Sequence, residues 1–146
     1  MSYGIDEIYR LFMWDMQLSH EENEANEQKG IEAAKQIQNL FPFMQPIVVT
    51  PGQSKVVWEP CAKVVSMRSD EELEPFIFKL LEWIADPNWP GALIIYERLT
   101  RMPYASIESY IRTSCVFAER KHDSGWLSML KDLDRDMRNG QNSWKD

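Results

Sequence analysis

The amino-acid sequence predicts an all-α fold, built either as stacked antiparallel helical hairpins or as an irregular bundle of six to seven helices. Apolar residues recur at the 3.6-residue period of a helix through most of the 146 residues, and no long segment alternates with the two-residue period of a strand. Two Ser-x-x-Glu motifs have the form of helix capping boxes. Residues 80–99 contain two amphipathic segments separated by a polar corner, the pattern of a helical hairpin.

The first part of the chain predicts two helices and a loop. Helical spacing of apolar residues covers residues 5–16. A capping box at residues 19–22 then begins a second helix that is expected to end near Leu40. Three prolines predict a loop over residues 41–52, with extended backbone at residues 47–49.

The middle of the chain predicts two more helices. One starts near residue 57, and Pro60 marks either its first turn or a kink, because proline lacks an N–H and is tolerated only near a helix start. The next begins at the capping box of residues 69–72 and extends to Ile84 as the clearest amphipathic segment. Pro75 lies in its early part, where a missing N–H costs least.

The polar corner, residues 86–91, joins this helix to the following one. We expect Asn88 to cap the following helix, Gly91 to let the two helices approach, and Trp89 to pack over the junction. The alternative interpretation is functional. Trp89 and Trp83 would then form an exposed aromatic patch, the kind of surface on which binding energy concentrates.

Three helices complete the predicted fold. Leu93, Tyr96 and Leu99 define a helix with a broad apolar arc, which is typical of a helix buried between neighbours. A turn at residues 122–125 separates the remaining two, and the last is expected to end at Asn139-Gly140. Their periodic apolar residues are Ile107, Tyr110, Ile111, Cys115 and Ala118 in one helix, and Trp126, Met129, Leu130, Leu133 and Met137 in the other.

Length and charge restrict the classes of function. The chain fits a single helical domain, residues 1–146, and its formal net charge of −7 disfavours nucleic acid and anionic membranes as partners. Neither a signal peptide nor an apolar segment of membrane-spanning length is visible, so we expect a cytoplasmic protein. Cys61 and Cys115 are expected to be reduced and buried, with a disulfide or a reactive thiol as the alternatives.

No pattern singles out a catalytic, cofactor or metal site. His20 and His122 lack ligand partners at suitable spacing, so both are predicted to be solvated and neither a metal nor a cofactor is expected. Residues 132–136 imitate the start of a calcium loop, but Met137 and Ser143 replace its required glycine and glutamate. No phosphate-binding glycine loop, HExxH or GxSxG motif is present, and no carboxylate pair stands out for hydrolysis.

A run of glutamates opens the second predicted helix. The plain interpretation is a solvated helix face, and the alternative is a docking strip for basic residues of a partner. With the corner tryptophans, the candidate partner-binding residues are Glu21, Glu22, Glu24, Trp83 and Trp89.

The sequence also resembles two families. The corner Asp86-Pro87-Asn88 resembles the turn between the paired helices of HEAT repeats, although Trp89-Pro90-Gly91 replaces the usual Val-Arg and only the unit of residues 69–102 matches. A second resemblance covers more of the chain and is carried by residues 30–35, 58–63, 69–73, 81–83 and 88–92. In these segments the sequence resembles a bacterial domain-of-unknown-function family, DUF family 5071. This resemblance implies a small helical bacterial protein and brings no activity or catalytic residue with it.

These observations favour a non-catalytic protein-interaction module. One concrete version is an immunity or antitoxin-like protein that blocks a basic effector, by analogy with other small acidic helical proteins. The partner is then expected to be a protein with a basic face. The alternative is an enzyme or small-ligand binder with an acidic pocket between helices. A deep pocket ringed by carboxylates would favour the alternative, and a flat acidic groove would favour the module.

Overall fold

The computed structural model describes residues 3–44 and 57–142. These residues hold seven α-helical stretches and no strand, where the segment from Asp70 to Trp83, which a 3₁₀ turn interrupts, is counted as one helix. This confirms the all-α prediction. The chain divides into two compact units, Met1–Met67 and Arg68–Asp146. The predicted extended stretch at residues 47–49 lies outside the described residues. The single domain and the HEAT-like stacking stay predictions.

In its described residues, the first unit contains three α-helices and a 3₁₀ turn. Its elements are α1 (Ile5–Phe12), α2 (His20–Ala34), the 3₁₀ turn Phe41–Phe43 and α3 (Trp58–Ser66). α1 packs against α2, and α2 packs against α3. A Cβ atom at Gly30 would lie 2.7 Å from the Phe12 ring, so glycine is what allows α1 and α2 to approach this closely.

The structure confirms one sequence prediction in this unit, corrects two and decides one that was left open. The capping box of α2 is confirmed, because the Glu22 N–H donates to Ser19 Oγ at 3.1 Å. α1 ends at Phe12 rather than at residue 16, and Met16 is 99% exposed instead of belonging to the buried apolar face of the helix.

The end of α2 and the role of Pro60 also become clear. α2 ends at Ala34, well before Leu40. Pro60 is the third residue of α3, so it belongs to the first turn and does not kink the helix.

The second unit contains the remaining helices. They are α4 (Asp70–Leu73), the 3₁₀ turn Glu74–Phe76, α5 (Ile77–Trp83), α6 (Ala92–Thr100), α7 (Tyr104–Arg120) and α8 (Ser124–Asn142). α7 packs against α8 and α5, and α6 packs against α8. Trp126 Nε1 of α8 donates to the Leu81 carbonyl of α5 at 2.9 Å, a buried hydrogen bond that fixes these two helices together. Among the described helices, none is long and apolar enough to cross a membrane.

The helix predicted from residue 69 to Ile84 is interrupted. Its capping box is confirmed, with the Glu72 N–H donating to Ser69 Oγ at 3.2 Å. Pro75 then lacks the N–H that an α-helix would need at that point, and the backbone tightens into a 3₁₀ turn before α5 begins. The sequence places Pro75 where a missing N–H costs least, but the proline still splits the helix into two segments.

The corner between α5 and α6 forms differently from the prediction. Asn88 does not cap α6. Its N–H donates to Asp86 Oδ1 at 2.8 Å, which makes a local turn, and Gly91 stands at the N-cap with φ of 82°. That left-handed backbone is the reason a glycine is needed there. Leu93 is 64% exposed, so α6 is not buried around its whole apolar arc.

The turn between α7 and α8 contains His122, with φ of 55°. The His122 N–H donates to the Glu119 carbonyl at 3.1 Å and the Asp123 N–H to the Ala118 carbonyl at 2.9 Å, which together form a Schellman motif. The Asp123 carboxylate then caps α8 by accepting the Trp126 N–H at 3.0 Å. The turn predicted at residues 122–125 is therefore present, with a non-glycine residue in the position that glycine usually occupies.

Replacing His122 by glycine should stabilise the protein by up to about 1 kcal/mol, because glycine adopts the left-handed conformation without the strain of a Cβ atom. Part of the gain is offset by the larger entropy of glycine in the unfolded chain. Thermal denaturation should show a higher midpoint for H122G. The control is H122A, which removes the exposed imidazole and keeps the Cβ atom. An equal rise in H122A would show that the imidazole, not the backbone, is responsible.

Candidate functional site

An acidic groove of about 680 Å³ lies on the first unit. It is formed by the loop after α1, by the first turns of α2 and by the start of α3. Most of its lining residues are exposed to solvent. The lining consists of Trp14, His20, Glu21, Glu24, Ala25, Glu27, Gln28, Glu59 and Lys63.

The buried side chain of Asn23 holds the loop that forms one wall of this groove. Its Oδ1 accepts the Asp15 N–H at 2.9 Å. Its Nδ2 donates to the carbonyls of Asp15 and Ser19, at 3.0 and 3.2 Å. One amide thus binds backbone groups at two points of the loop. Since Trp14 directly precedes Asp15, these hydrogen bonds place Trp14 next to the start of α2. Asn23 is 5% exposed and thus acts as an internal support for the groove.

Trp14 supplies the aromatic surface of the groove. Its indole Nε1 donates to Glu27 Oε2 at 3.1 Å. Its ring meets the His20 ring edge-on, with 5.0 Å between the ring centroids. Trp14 nevertheless stays 41% exposed, so a ligand can reach part of the indole. An exposed indole fixed beside carboxylates is suited to a cationic side chain, which is attracted both to the ring and to the charges.

The carboxylates of the groove outnumber its cations. The Lys63 ammonium pairs with Glu27 at 2.8 Å, and this hydrogen bond raises the pKa of Lys63. His20 Nε2 lies 2.9 Å from Glu24 Oε1. Glu21 and Glu59 make no ion pair with any residue in the described ranges. The groove therefore carries a surplus of negative charge that its own side chains leave uncompensated.

The structure separates the three glutamates that the sequence grouped together. All three are exposed, but only Glu21 and Glu24 line the groove. Glu22 Oε1 instead accepts the Ser19 N–H at 3.4 Å as the second half of the capping box. Its carboxylate thus has a structural use at the start of α2 and does not contribute to the groove lining.

The corner tryptophans do not form an exposed aromatic patch. Trp83 is 0% exposed, and its Nε1 donates to the Pro90 carbonyl at 3.1 Å. A partner cannot contact a side chain that is fully covered, so the aromatic-patch interpretation is wrong for Trp83. Trp89 is partly exposed and lines a separate cavity of about 530 Å³ beside Pro87 and Met129.

Cysteines and histidines offer no nucleophilic or metal centre at the groove. Cys61 is buried, and its burial raises the thiol pKa to about 12, which keeps the thiol protonated. Cys115 is only half-buried, contrary to the prediction, and both cysteines are free. Within the described ranges, no three His, Cys, Asp or Glu side chains are grouped so as to hold a metal ion.

Four of the residues that sequence reasoning missed shape the groove or its support: Trp14, Asn23, Glu59 and Lys63. Asn23 and Trp14 could have been suspected, because an aromatic residue shortly before a capping box and an amide in its first turns are both close in sequence to the glutamate run. Glu59 and Lys63 carry no such signal. They lie more than 30 residues downstream, on a separate helix.

Comparison with known proteins identifies the family. The search of curated proteins and the search of solved structures each gave no match. The sequence model of a domain of unknown function, DUF5071, matches residues 59–145. This range contains Glu59 and Lys63 of the groove, whereas Trp14 and the α2 residues of the groove precede it. Because the match covers more than half of the chain, the protein belongs to the DUF5071 family.

Proposed function

We propose that this protein is a non-catalytic protein-interaction module whose acidic groove binds a basic segment of a partner protein. The observation that carries the proposal is the combination of unpaired carboxylates, Glu21 and Glu59, with the exposed indole of Trp14 in one groove. Lysine or arginine on the partner would find both charge compensation and an aromatic surface there.

Arginine suits this groove better than lysine. A guanidinium can donate two parallel hydrogen bonds to a carboxylate and can also stack on an indole, whereas an ammonium acts as a point charge. The groove has carboxylates on both α2 and α3, so a segment with two or more basic residues would satisfy it better than a single one. Blocking a basic effector, as an immunity or antitoxin-like protein does, is one role that such a groove can serve.

The exposure of the groove favours binding over catalysis. Catalytic carboxylates are usually tuned by burial in a cleft, and the Glu24 side chain is 62% exposed. A cavity of about 680 Å³ is large enough for a small cationic molecule, so a ligand such as a polyamine is the second candidate. Binding of spermidine tighter than that of a basic peptide would favour this second candidate.

A fluorescent oligoarginine peptide tests the proposal by stopped-flow kinetics at two salt concentrations. Opposite charges mainly accelerate encounter, so the association rate should fall as salt rises, while the dissociation rate changes less. The triple variant E21Q/E24Q/E59Q should associate about tenfold more slowly than the unmodified protein at low salt. W14A should mainly accelerate dissociation, because it removes a short-range contact.

The matched control is E22Q. It removes one negative charge next to the groove and keeps the capping box, because glutamine can also accept the Ser19 N–H. Compared with the single variants E21Q and E59Q, E22Q should leave the association rate nearly unchanged. If E22Q slows association as much as they do, the peptide senses only the net charge and the groove is not the binding site.

A further inference from the structure

We propose that a second cavity, between α7 and α8, binds the phosphate group of a small molecule. This cavity has a volume of about 430 Å³ and lies entirely in the second unit, within the range matched by the family. It shares no lining residue with the acidic groove and has the opposite charge. Phosphate binding here can therefore be tested independently of the proposed binding of a basic segment in the groove. Its lining consists of Tyr104, Ile111, Arg112, Cys115, Lys131, Asp134 and Arg138.

The lining of this cavity is cationic in a chain of net charge −7. Among the lining residues that the structure describes, Arg112, Lys131 and Arg138 carry positive charge and Asp134 is the one carboxylate. Lys131 makes no ion pair with any residue that the structure describes. Arg112 does pair with Glu108 on its own helix, but Glu108 does not line the cavity. The cavity therefore concentrates positive charge that its own lining does not neutralise.

Both oxygens of the carboxylate in the described part of the lining already have a partner. Asp134 Oδ1 accepts the Tyr104 hydroxyl at 2.6 Å, and Oδ2 lies 2.6 Å from a guanidinium nitrogen of Arg138. The hydrogen bond to Asp134 raises the pKa of the Tyr104 hydroxyl, which stays a donor. Each oxygen of Asp134 thus already serves one donor, and the carboxylate competes weakly for an incoming cation.

Cys115 adds a neutral donor rather than a second negative charge. It is half-buried, and desolvation raises the pKa of its thiol, so the S–H form prevails at neutral pH. Ile111, which is 2% exposed, supplies an apolar wall beside these donors. A cavity that offers ammonium, guanidinium and thiol donors with one occupied acceptor complements a ligand that has several acceptors and a negative charge.

These properties favour a phosphate over a single carboxylate. A phosphate monoester carries close to two negative charges at neutral pH and three acceptor oxygens, which matches two guanidinium groups and one ammonium. The volume accommodates a phosphorylated metabolite of modest size, with the apolar wall available to the rest of the molecule.

Inorganic phosphate is the probe for the first experiment. Isothermal titration calorimetry at constant ionic strength should show saturable phosphate binding, and malonate, a dicarboxylate of similar charge, should bind more weakly. K131Q and R112Q should each weaken phosphate binding about tenfold, the loss expected for one charge-assisted contact. The matched control is R135Q, which makes the same Arg→Gln change as R112Q and lies on the same helix as Lys131, at a residue outside the lining.

Alkylation of Cys115 locates the bound ion. Cys61 is 1% exposed, so a maleimide should react first with Cys115, and phosphate should slow that reaction in the unmodified protein and in R135Q. K131Q should lose the protection. The proposal is overturned by any of four results: no saturable phosphate binding, tighter binding of malonate, an equal loss of affinity in R135Q, or phosphate binding that leaves the alkylation rate of Cys115 unchanged.

Discussion

Replacing Trp83 by alanine should lower the free energy of unfolding by about 3–5 kcal/mol, the usual cost of truncating a fully buried tryptophan. Trp83 is 0% exposed and is the largest fully buried side chain among the described residues. Its loss would leave a cavity at the end of α5 and would also remove the donor that binds the Pro90 carbonyl at 3.1 Å. Urea denaturation followed by circular dichroism measures the change directly.

Two variants at the same corner serve as controls. W89A removes an indole that is partly exposed, so it should cost clearly less than W83A. W83F retains much of the ring volume but loses the hydrogen bond to Pro90, so it should fall between W83A and the unmodified protein. If W83A and W89A lower the free energy of unfolding equally, both tryptophans stabilise the corner to the same extent. Their difference in burial would then not determine their contributions.

The sequence located the corner but not the roles of its residues. A capping box is recognisable because both of its members lie within four residues, and the boxes at Ser19 and Ser69 are both present in the structure. At the corner, the start of α6 depends on which residue adopts a left-handed backbone, and Gly91 does so three residues after the expected cap. Trp83 is buried and Trp89 is partly exposed because of the backbone geometry at this turn. The helical periodicity of apolar residues does not predict that geometry.

The candidate site, too, was predictable only where its residues lie close together in the sequence. The glutamates at the start of α2 were recognised as a solvated face because they follow one another on one helix. The rest of the groove is non-local. Lys63 neutralises Glu27 across 36 residues of sequence, and Glu59 adds its charge from the same distant helix. A single sequence gives no signal for such a pairing, since any of its lysines could pair with any of its glutamates.

Arg98 shows the same limit in the second unit. It lies within the apolar arc of α6, where the sequence favours burial, yet it carries a charge. The structure buries it to 6% exposure and compensates it with Asp70, 2.6 Å away, and with the Arg68 carbonyl at 2.9 Å. A buried guanidinium is tolerated because both acceptors reach it, and neither acceptor could be assigned from periodicity.

This arrangement makes an asymmetric prediction for the Arg98–Asp70 pair. Asp70→Asn should destabilise the protein by about 3 kcal/mol, because it leaves the buried guanidinium without its counter-charge. Arg98→Met should cost less, since the Asp70 side chain is 44% exposed and water can solvate its carboxylate once the arginine is gone. Methionine also keeps most of the apolar contact of the arginine stem.

The double variant D70N/R98M decides whether the pair is responsible. If the cost of Asp70→Asn comes from an uncompensated buried charge, removing that charge should recover most of it, and the double variant should be about as stable as R98M alone. The four proteins are compared by urea denaturation at the same pH and salt. Additive costs in the double variant would mean that Asp70 contributes through its position in the first turn of α4, where the helix dipole also favours a carboxylate, and not through Arg98.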